Sequence, residues 1–247
     1  AEHWANLWTI WLTSRTINAQ YREQMHVWLY EHFRNNSSYR DVVTQLLTAA
    51  GPSHENVKGE PVTKNGAVNF IAHHIGDPTP KGKEAEFGPH DAVPITSRIT
   101  RLFLGLQTQC TQCHDHPFNK EWVQSDFWGV NAYFRQVTRD RAPTPGPNAG
   151  ANNQMMANPV QVTLTDEPGA NANGIVYYER RDGKLMAAKP NFLKDLAQAE
   201  KGESPNKTMA AFPGKSRREV MAHFVTSHDN FAAAYINRVW GHLFGRG

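Results

Sequence analysis

The spacing of tryptophans near the start of the chain constrains the fold more than any other feature. Trp4, Trp8 and Trp11 fall at i, i+4 and i+7, and Trp28, Leu29 and Phe33 continue an apolar stripe. Apolar residues at that spacing share one side of an α-helix and have to be buried against another element. Residues 3–34 therefore read as helical, with the stripe facing a core. Seven tryptophans in one chain point to large aromatic burial, either in a core or around a flat ligand.

The same periodicity recurs further on. Ser38-Tyr-Arg-Asp41 reads as a capping box for a helix through Val42, Val43, Leu46 and Leu47, ended by Gly51. Residues 52–92 are rich in Gly, Pro, Lys and Glu and read mostly as loop, interrupted by the apolar stretch from Val68 to Ile71. A further helix begins after Pro94, near Thr96 or Ser97. It carries Ile99, Leu102, Phe103 and Leu106 toward Cys110 and breaks at Pro117. Another fits Ser125 to Phe134, with Phe127, Trp128, Val130, Tyr133 and Phe134 as an aromatic face.

Residues 141–154 are Pro-, Gly-, Asn- and Ala-rich and too poor in apolar side chains to pack. Val160, Val162 and Leu164 then alternate with polar residues, the pattern of a half-buried strand. Residues 174–190 read as two strands joined at Asp182-Gly183. Ser216-Arg-Arg-Glu219 is a second capping box, leading into Val220, Met221, Phe224 and Val225, and a last helix runs from about Asn230 to Phe244. No internal repeat is present. The expected fold is mainly α with a small antiparallel β insert. Its expected segments are a helical region over 1–140, a flexible loop over 141–158, a β-hairpin insert over 159–190 and a C-terminal helical segment over 191–247.

Composition narrows the class of protein. A length of 247 residues suits one large domain or two small ones, and 39% hydrophobic with 20% charged residues is ordinary for a soluble globular chain. No run of eighteen apolar residues exists, so nothing here spans a membrane. A basic segment followed by an apolar core is also missing, so the chain shows no signal peptide. Its N-terminus starts inside a helical pattern, which is compatible with one having been removed. The net charge of +3 is not gathered into a basic block, which argues against a nucleic-acid partner.

Both cysteines fall in "LQTQCTQCHDHPFNKEW", residues 106–122. Cys110 and Cys113 lie three apart and His114 follows at once. Two thiols so spaced can add to the two vinyl groups on one edge of a haem, and the adjacent histidine then reaches the iron from the proximal side. The same pair could instead form a disulfide, a redox dithiol or half of a zinc site, with His114 and His116 as nitrogen ligands. Four ligands from one seven-residue stretch would strain a tetrahedron, and a redox dithiol expects a strand before it where this sequence places a helix. Local geometry therefore favours haem. His116 is too close in sequence to His114 to reach the opposite haem face. It would bond a haem propionate or fix the helix end. Distal ligand candidates are Met155, Met156, His73, His74, His90, His223, His228 and His242, and an open distal position is a further option.

At the C-terminus, Arg238 and His242 stand at i, i+4 and share one helix face. Ile236, Val239, Trp240 and Leu243 form an apolar side expected to pack inward. Arg238 would pair with a haem propionate, since a guanidinium suits a carboxylate bidentately, and His242 would reach the iron. The alternative is that both tie this helix to a further domain.

The stretch "FLGLQTQCTQCHDHPFNKEWVQSDFWGVNAYF" (103–134) resembles the signature of the planctomycete cytochrome C-like family. That signature has an FLG-containing helix, a C-x-x-C-H-D/N-H-P-F motif and an aromatic-rich helix. The resemblance extends to "AEHWANLWTIWLTSR", to "YREQMHVWLYEHFRNNSSYRDVVTQLLTA" and to the hairpin "VYYERRDGKLMAAKPNFL". "FPGKSRREVMAHFVTSHDNFAAAYINRVWGHLFGRG" resembles the opening of the family's usual C-terminal companion domain, so the chain reads as a piece of a longer polypeptide. "NAQYREQ" departs from the family pattern after the first helix. The resemblance implies a c-type haem domain of non-standard architecture and export to the periplasm or cell exterior. The function expected is electron transfer by one covalent haem c, with Cys110 and Cys113 as thioether sites, His114 as proximal ligand and a redox protein as partner. The alternatives are a haem enzyme with an open distal site for peroxide or oxygen chemistry, and a structural zinc or disulfide module.

Overall fold

Ser14 leaves the first helix with φ 66°, in the left-handed region, so the helical stretch expected over 3–34 is two helices rather than one. The structure, a computed structural model, describes residues 1–14, 19–57, 60–119, 122–143, 160–193 and 209–247. These residues form two compact units, Ala1–His74 with Val137–Asp166, and Ile75–Gln136 with Glu167–Gly247.

In the first unit, α1 (Glu2–Thr13) packs against α2 (Ala19–Arg34), and α3 (Tyr39–Thr48) follows. Trp8, Leu12, Met25 and Leu29 are buried, so the centre of the aromatic stripe faces the core as its spacing predicts, while Trp4, Trp11 and Trp28 are half-buried. Near its end α1 turns two threonine hydroxyls onto its own carbonyls, Thr9 onto Ala5 and Thr13 onto Thr9. α3 starts after Ser38 as expected, but the Ser38 hydroxyl makes no capping bond.

The stretch expected as loop over 52–92 holds more structure than its composition suggests. After β1 (Gly51–Pro52), β2 (His54–Val57) and β3 (Glu60–Thr63) form an antiparallel hairpin, and α4 (Val68–His74) buries Val68, Phe70 and Ile71. The hairpin escapes an apolar-alternation reading because polar groups anchor it. His54 is buried and its Nδ1 lies 3.1 Å from the Gln24 carboxamide nitrogen and 3.2 Å from the Ser53 hydroxyl. Asn69 in turn donates to the Gln24 carboxamide oxygen at 3.0 Å. Two further strands, β4 (Val137–Pro143) and β5 (Val160–Asp166), complete the unit. β5 buries Val162 and Leu164 and is the central strand of a sheet ordered β1-β5-β4, pairing Gly51 with Leu164 on one side and Arg139 with Leu164 on the other. β4 carries Arg139 and Asp140 at the sheet edge, where charge discourages further pairing. The loop expected over 141–158 lies outside the described residues beyond Pro143.

The second unit begins with α5 (Glu84–Phe87), α6 (Val93–Leu104), α7 (Gln124–Asn131) and a 3-10 turn at Ala132–Phe134. Pro94 sits in the first turn of α6, where a missing N–H costs nothing, so the helix starts before Pro94 rather than after it. The helix ends at Leu104, not near Cys110. β6 (Val176–Glu179) and β7 (Leu185–Ala188) form the hairpin expected around Asp182-Gly183, with Gly183 at φ 79°. α8 (Arg217–Ser227) opens on the expected capping box: Ser216 Oγ accepts from the Glu219 amide and Glu219 Oε2 accepts from the Ser216 amide at 2.8 Å. The core gathers Ile95, Ile99, Phe103, Phe127, Tyr133, Phe134 and Phe192.

α9 (Asn230–Phe244) corrects one expectation. Ile236, Trp240 and Leu243 are 60%, 55% and 61% exposed, so the apolar side expected to pack inward faces outward. The helix buries its beginning instead. Phe231 is buried, Ala234 lies over Gly105, and Asn230 donates to the Leu104 carbonyl. Together the described residues give a mainly α protein with small antiparallel sheets.

Candidate functional site

Gly105 adopts φ 68°, ψ 13° and ends α6 with a left-handed cap, a conformation that suits glycine. The chain then enters a 3-10 turn, Thr108–Gln112, which carries Cys110. Buried hydrogen bonds hold this turn from both sides. The hydroxyls of Thr100 on α6 and Thr108 lie 2.8 Å apart, and Thr111 Oγ1 donates to the Thr108 carbonyl at 2.7 Å. The Gln112 carbonyl accepts from both the Gln124 carboxamide and Trp128 Nε1, each at 3.1 Å. Gln124 also donates to the Glu179 carbonyl at 2.9 Å, and Trp128 stacks on Tyr178 at 5.8 Å. The turn is therefore braced by α6, α7 and β6.

On this brace Cys110 and Cys113 are exposed, with both thiols free. His114 is half-buried, and its Nδ1 lies 2.6 Å from the Asp115 carbonyl oxygen. A carbonyl can only accept, so Nδ1 carries the proton and Nε2 presents a lone pair. Asp115 uses its carboxylate elsewhere, accepting from the Gln124 amide at 2.8 Å at the start of α7.

His116 has a different local role. Its Nδ1 accepts from the backbone amides of Phe118 and Asn119 at 3.2 and 3.0 Å, and its own amide donates to the Trp122 carbonyl at 2.9 Å. Its ring meets Trp122 edge-on at 5.4 Å. These bonds hold the backbone after the motif; no helix ends at His116, since α6 stops at Leu104 and the 3-10 turn at Gln112.

A cavity of about 490 Å³ adjoins Cys110 and is lined by Arg98 and Arg101 of α6. Burial pushes the Arg98 guanidinium below its ordinary pKa, and the like charges of Arg101 and Arg238 add to the effect. Arg238 of α9 thus stands near the arginines beside Cys110. His242, one turn later, is exposed. The sequence reading singled out Arg238 but missed Arg98 and Arg101. Their i, i+3 spacing on a helix leading to the motif was the available signal.

The other histidines considered as distal ligands have visible local surroundings. His228 is buried, packs edge-on against Phe192 and accepts the Asn230 amide at the start of α9. His223 packs on Phe212, His90 is buried, and His74 donates to the Leu12 carbonyl in the first unit, where His73 adjoins it. Met155 and Met156 lie outside the described residues.

The residues present suit a covalent haem. Two unbridged, accessible thiols can form thioethers, and a histidine whose Nδ1–H is held by a carbonyl offers Nε2 to a metal, as ligating histidines do. The cavity at Cys110 lies within the range of small-molecule sites, although Cys113 and His114 are not among its described lining residues. Among the described residues no three His, Cys, Asp or Glu side chains converge as a metal site.

The model of the PSCyt2 family, described as a protein of unknown function (DUF1549), matches residues 1–139, more than half of the chain and inclusive of Cys110, Cys113 and His114. No curated protein and no solved structure matches.

Proposed function

The chain belongs to the PSCyt2 family, and from that premise we propose that it is an exported c-type cytochrome that carries one haem c and transfers electrons outside the cytoplasm. Cys110 and Cys113 hold the haem through thioether bonds, and His114 Nε2 is the proximal ligand. The observation that carries this reading is the braced turn itself, with two free, exposed thiols followed by a histidine whose Nδ1 is committed to the Asp115 carbonyl. When bound, the haem supplies a one-electron couple whose potential follows axial ligation, hydrogen bonding and burial.

The chain's own residues account for the rest. The Thr100–Thr108 bond and the two donors on the Gln112 carbonyl keep the thiols at fixed positions. The Asp115 carbonyl selects the His114 tautomer and raises the basicity of Nε2. Cys110 and Cys113 are exposed, so a group held there would be within reach of a partner redox protein.

The test is a pyridine haemochrome spectrum of the chain produced in an exporting host with haem-attachment machinery. The expected result is a thioether-type spectrum, with the denatured chain heavier by one haem. Colourless protein from a competent host overturns the proposal. Rapid carbon monoxide or cyanide binding by the loaded protein would instead identify an open distal site and a haem enzyme.

A further inference from the structure

α9 has two faces. One buries Phe231 and lays Ala234 over Gly105. The other carries Ala233, Ile236, Trp240 and Leu243 at alternating three- and four-residue spacings, the a/d order of a heptad seam. Ala232 and Phe244 flank that seam, and the Trp240 and Phe244 rings meet at 4.3 Å. Ile236, Trp240, Leu243 and Phe244 are more than half exposed, and both alanines are exposed.

The order of sizes along this face selects its occupant. The small residues, Ala232 and Ala233, stand at the N-terminal end of the helix, and the large ones, Leu243 and Phe244, at the C-terminal end. A second copy laid antiparallel brings Leu243 of each copy over Ala233 of the other, Phe244 over Ala232 and Trp240 over Ile236. Large then meets small at both ends, which fills the seam without voids. A parallel pair would instead stack alanine on alanine at one end and Leu243 on Leu243 at the other. The ends also match in charge, since Asp229 and Arg246, exposed at opposite ends of α9, come opposite each other in the antiparallel pair. Four large apolar side chains per copy amount, over two copies, to roughly the 1,000 Å² at which specific interfaces begin.

We propose that α9 is a self-association surface, on which two copies of this chain pair antiparallel through Ala233, Ile236, Trp240 and Leu243. The pairing does not depend on the haem reading, because none of these residues belongs to the turn at Cys110.

Sedimentation velocity of the whole chain over a range of concentrations tests it, with reductant present so that Cys110 and Cys113 cannot cross-link copies. The mass is expected to double as concentration rises through the micromolar range. Trp240→Glu should weaken association about thirtyfold or more, as the loss of a central anchor does, and circular dichroism should show the fold unchanged because the site is exposed. Ala233→Lys and Leu243→Glu should each be monomeric alone and dimeric when mixed. In the mixed pair the introduced ammonium faces the introduced carboxylate, while the second such layer keeps alanine on leucine. Leu185→Glu, at an exposed apolar site on β7, should leave the dimer intact. A wild-type chain that stays monomeric, a mixture that does not associate, or a dimer abolished by Leu185→Glu overturns the proposal. A monomer that sediments with phosphatidylglycerol vesicles through Trp240 would give the face to a lipid surface, and a monomer that ignores them would give it to a different protein; both outcomes overturn self-association.

Discussion

The hydroxyls of Thr100 and Thr108 lie 2.8 Å apart in the protein interior, and this hydrogen bond ties α6 to the turn that presents Cys110. Thr100 has two further acceptors close by, the carbonyls of Thr96 and Ser97 at 3.3 and 3.2 Å. Thr108→Val is nearly isosteric and leaves Thr100 able to donate. It should therefore lower stability by only about 1 kcal/mol. Thr100→Val should cost a similar amount, and the double variant less than the sum, since both singles break one bond. Chemical denaturation of the four proteins measures the coupling. Strict additivity would show that the bond does not brace the turn.

Both thioethers should be needed to keep the haem under denaturing conditions. Cys110→Ala/Cys113→Ala is expected to release it into organic solvent after unfolding, while each single variant retains it through the other sulfur. Both positions are exposed, so these changes should shift stability of the haem-free chain by no more than about 0.5 kcal/mol. Mass spectrometry of unfolded protein reads the outcome directly.

Gly66 offers a test of the first unit. A Cβ there would run into the Gln24 carbonyl oxygen and the Trp28 Cβ, both on α2. α2 carries the buried Met25 and Leu29 and has little room to move. Gly66→Ala should cost about 1–3 kcal/mol by overpacking. An unchanged urea midpoint would mean that the approach of the two backbones is looser than this.

His54 gives the protein an acid limb. Burial lowers its pKa from the ordinary 6.5, so the unfolded chain takes up a proton more readily than the folded one. The sign follows: stability is full above about pH 6.5 and falls as pH drops from there toward the lowered folded value. Glu219 acts in a second, more acidic window. Its bond from the Ser216 amide, and then Lys215, hold its pKa below the ordinary 4.5, so its contribution is present above 4.5 and lost as pH falls through the folded value. His54→Gln should reduce the loss that begins below about pH 6.5, leaving the share of His32, whose pKa burial also lowers, and the lower window in place. Thermal denaturation across pH, wild type against variant, reads both limbs.

What was legible in the sequence was local. The Ser216–Glu219 box and the Asp182-Gly183 turn announce themselves because every atom that makes them lies within a few residues. β5 was visible through Val162 and Leu164, but its partners β1 and β4 were not, since pairing is chosen across the chain. The motif residues were legible for the same reason as the turns. Their support was not: the Gln124 carboxamide bridges Gln112, 12 residues away, and Glu179, 55 residues away. Polar side chains of that kind carry no periodic signature. The exposed face of α9 failed the sequence reading because an apolar stripe states what wants burial, not what covers it.

His114 and His116 sit two residues apart, and the geometry gives them separable tasks. His114 keeps Nε2 available because Nδ1 is bonded to the Asp115 carbonyl. His116 spends Nδ1 on the Phe118 and Asn119 amides and braces its ring on Trp122. His114→Ala should therefore leave the haem covalently attached while altering its absorption spectrum and potential, because axial-ligand identity governs both. His116→Ala should leave the spectrum close to wild type but free the two amides, raising hydrogen exchange at Phe118 and Asn119. His116→Asn should restore much of that protection, since an Asn side-chain oxygen accepts from an amide two residues on. An unaltered spectrum in His114→Ala would remove His114 as the iron ligand. A spectral change confined to the His116 variants would move that role to His116.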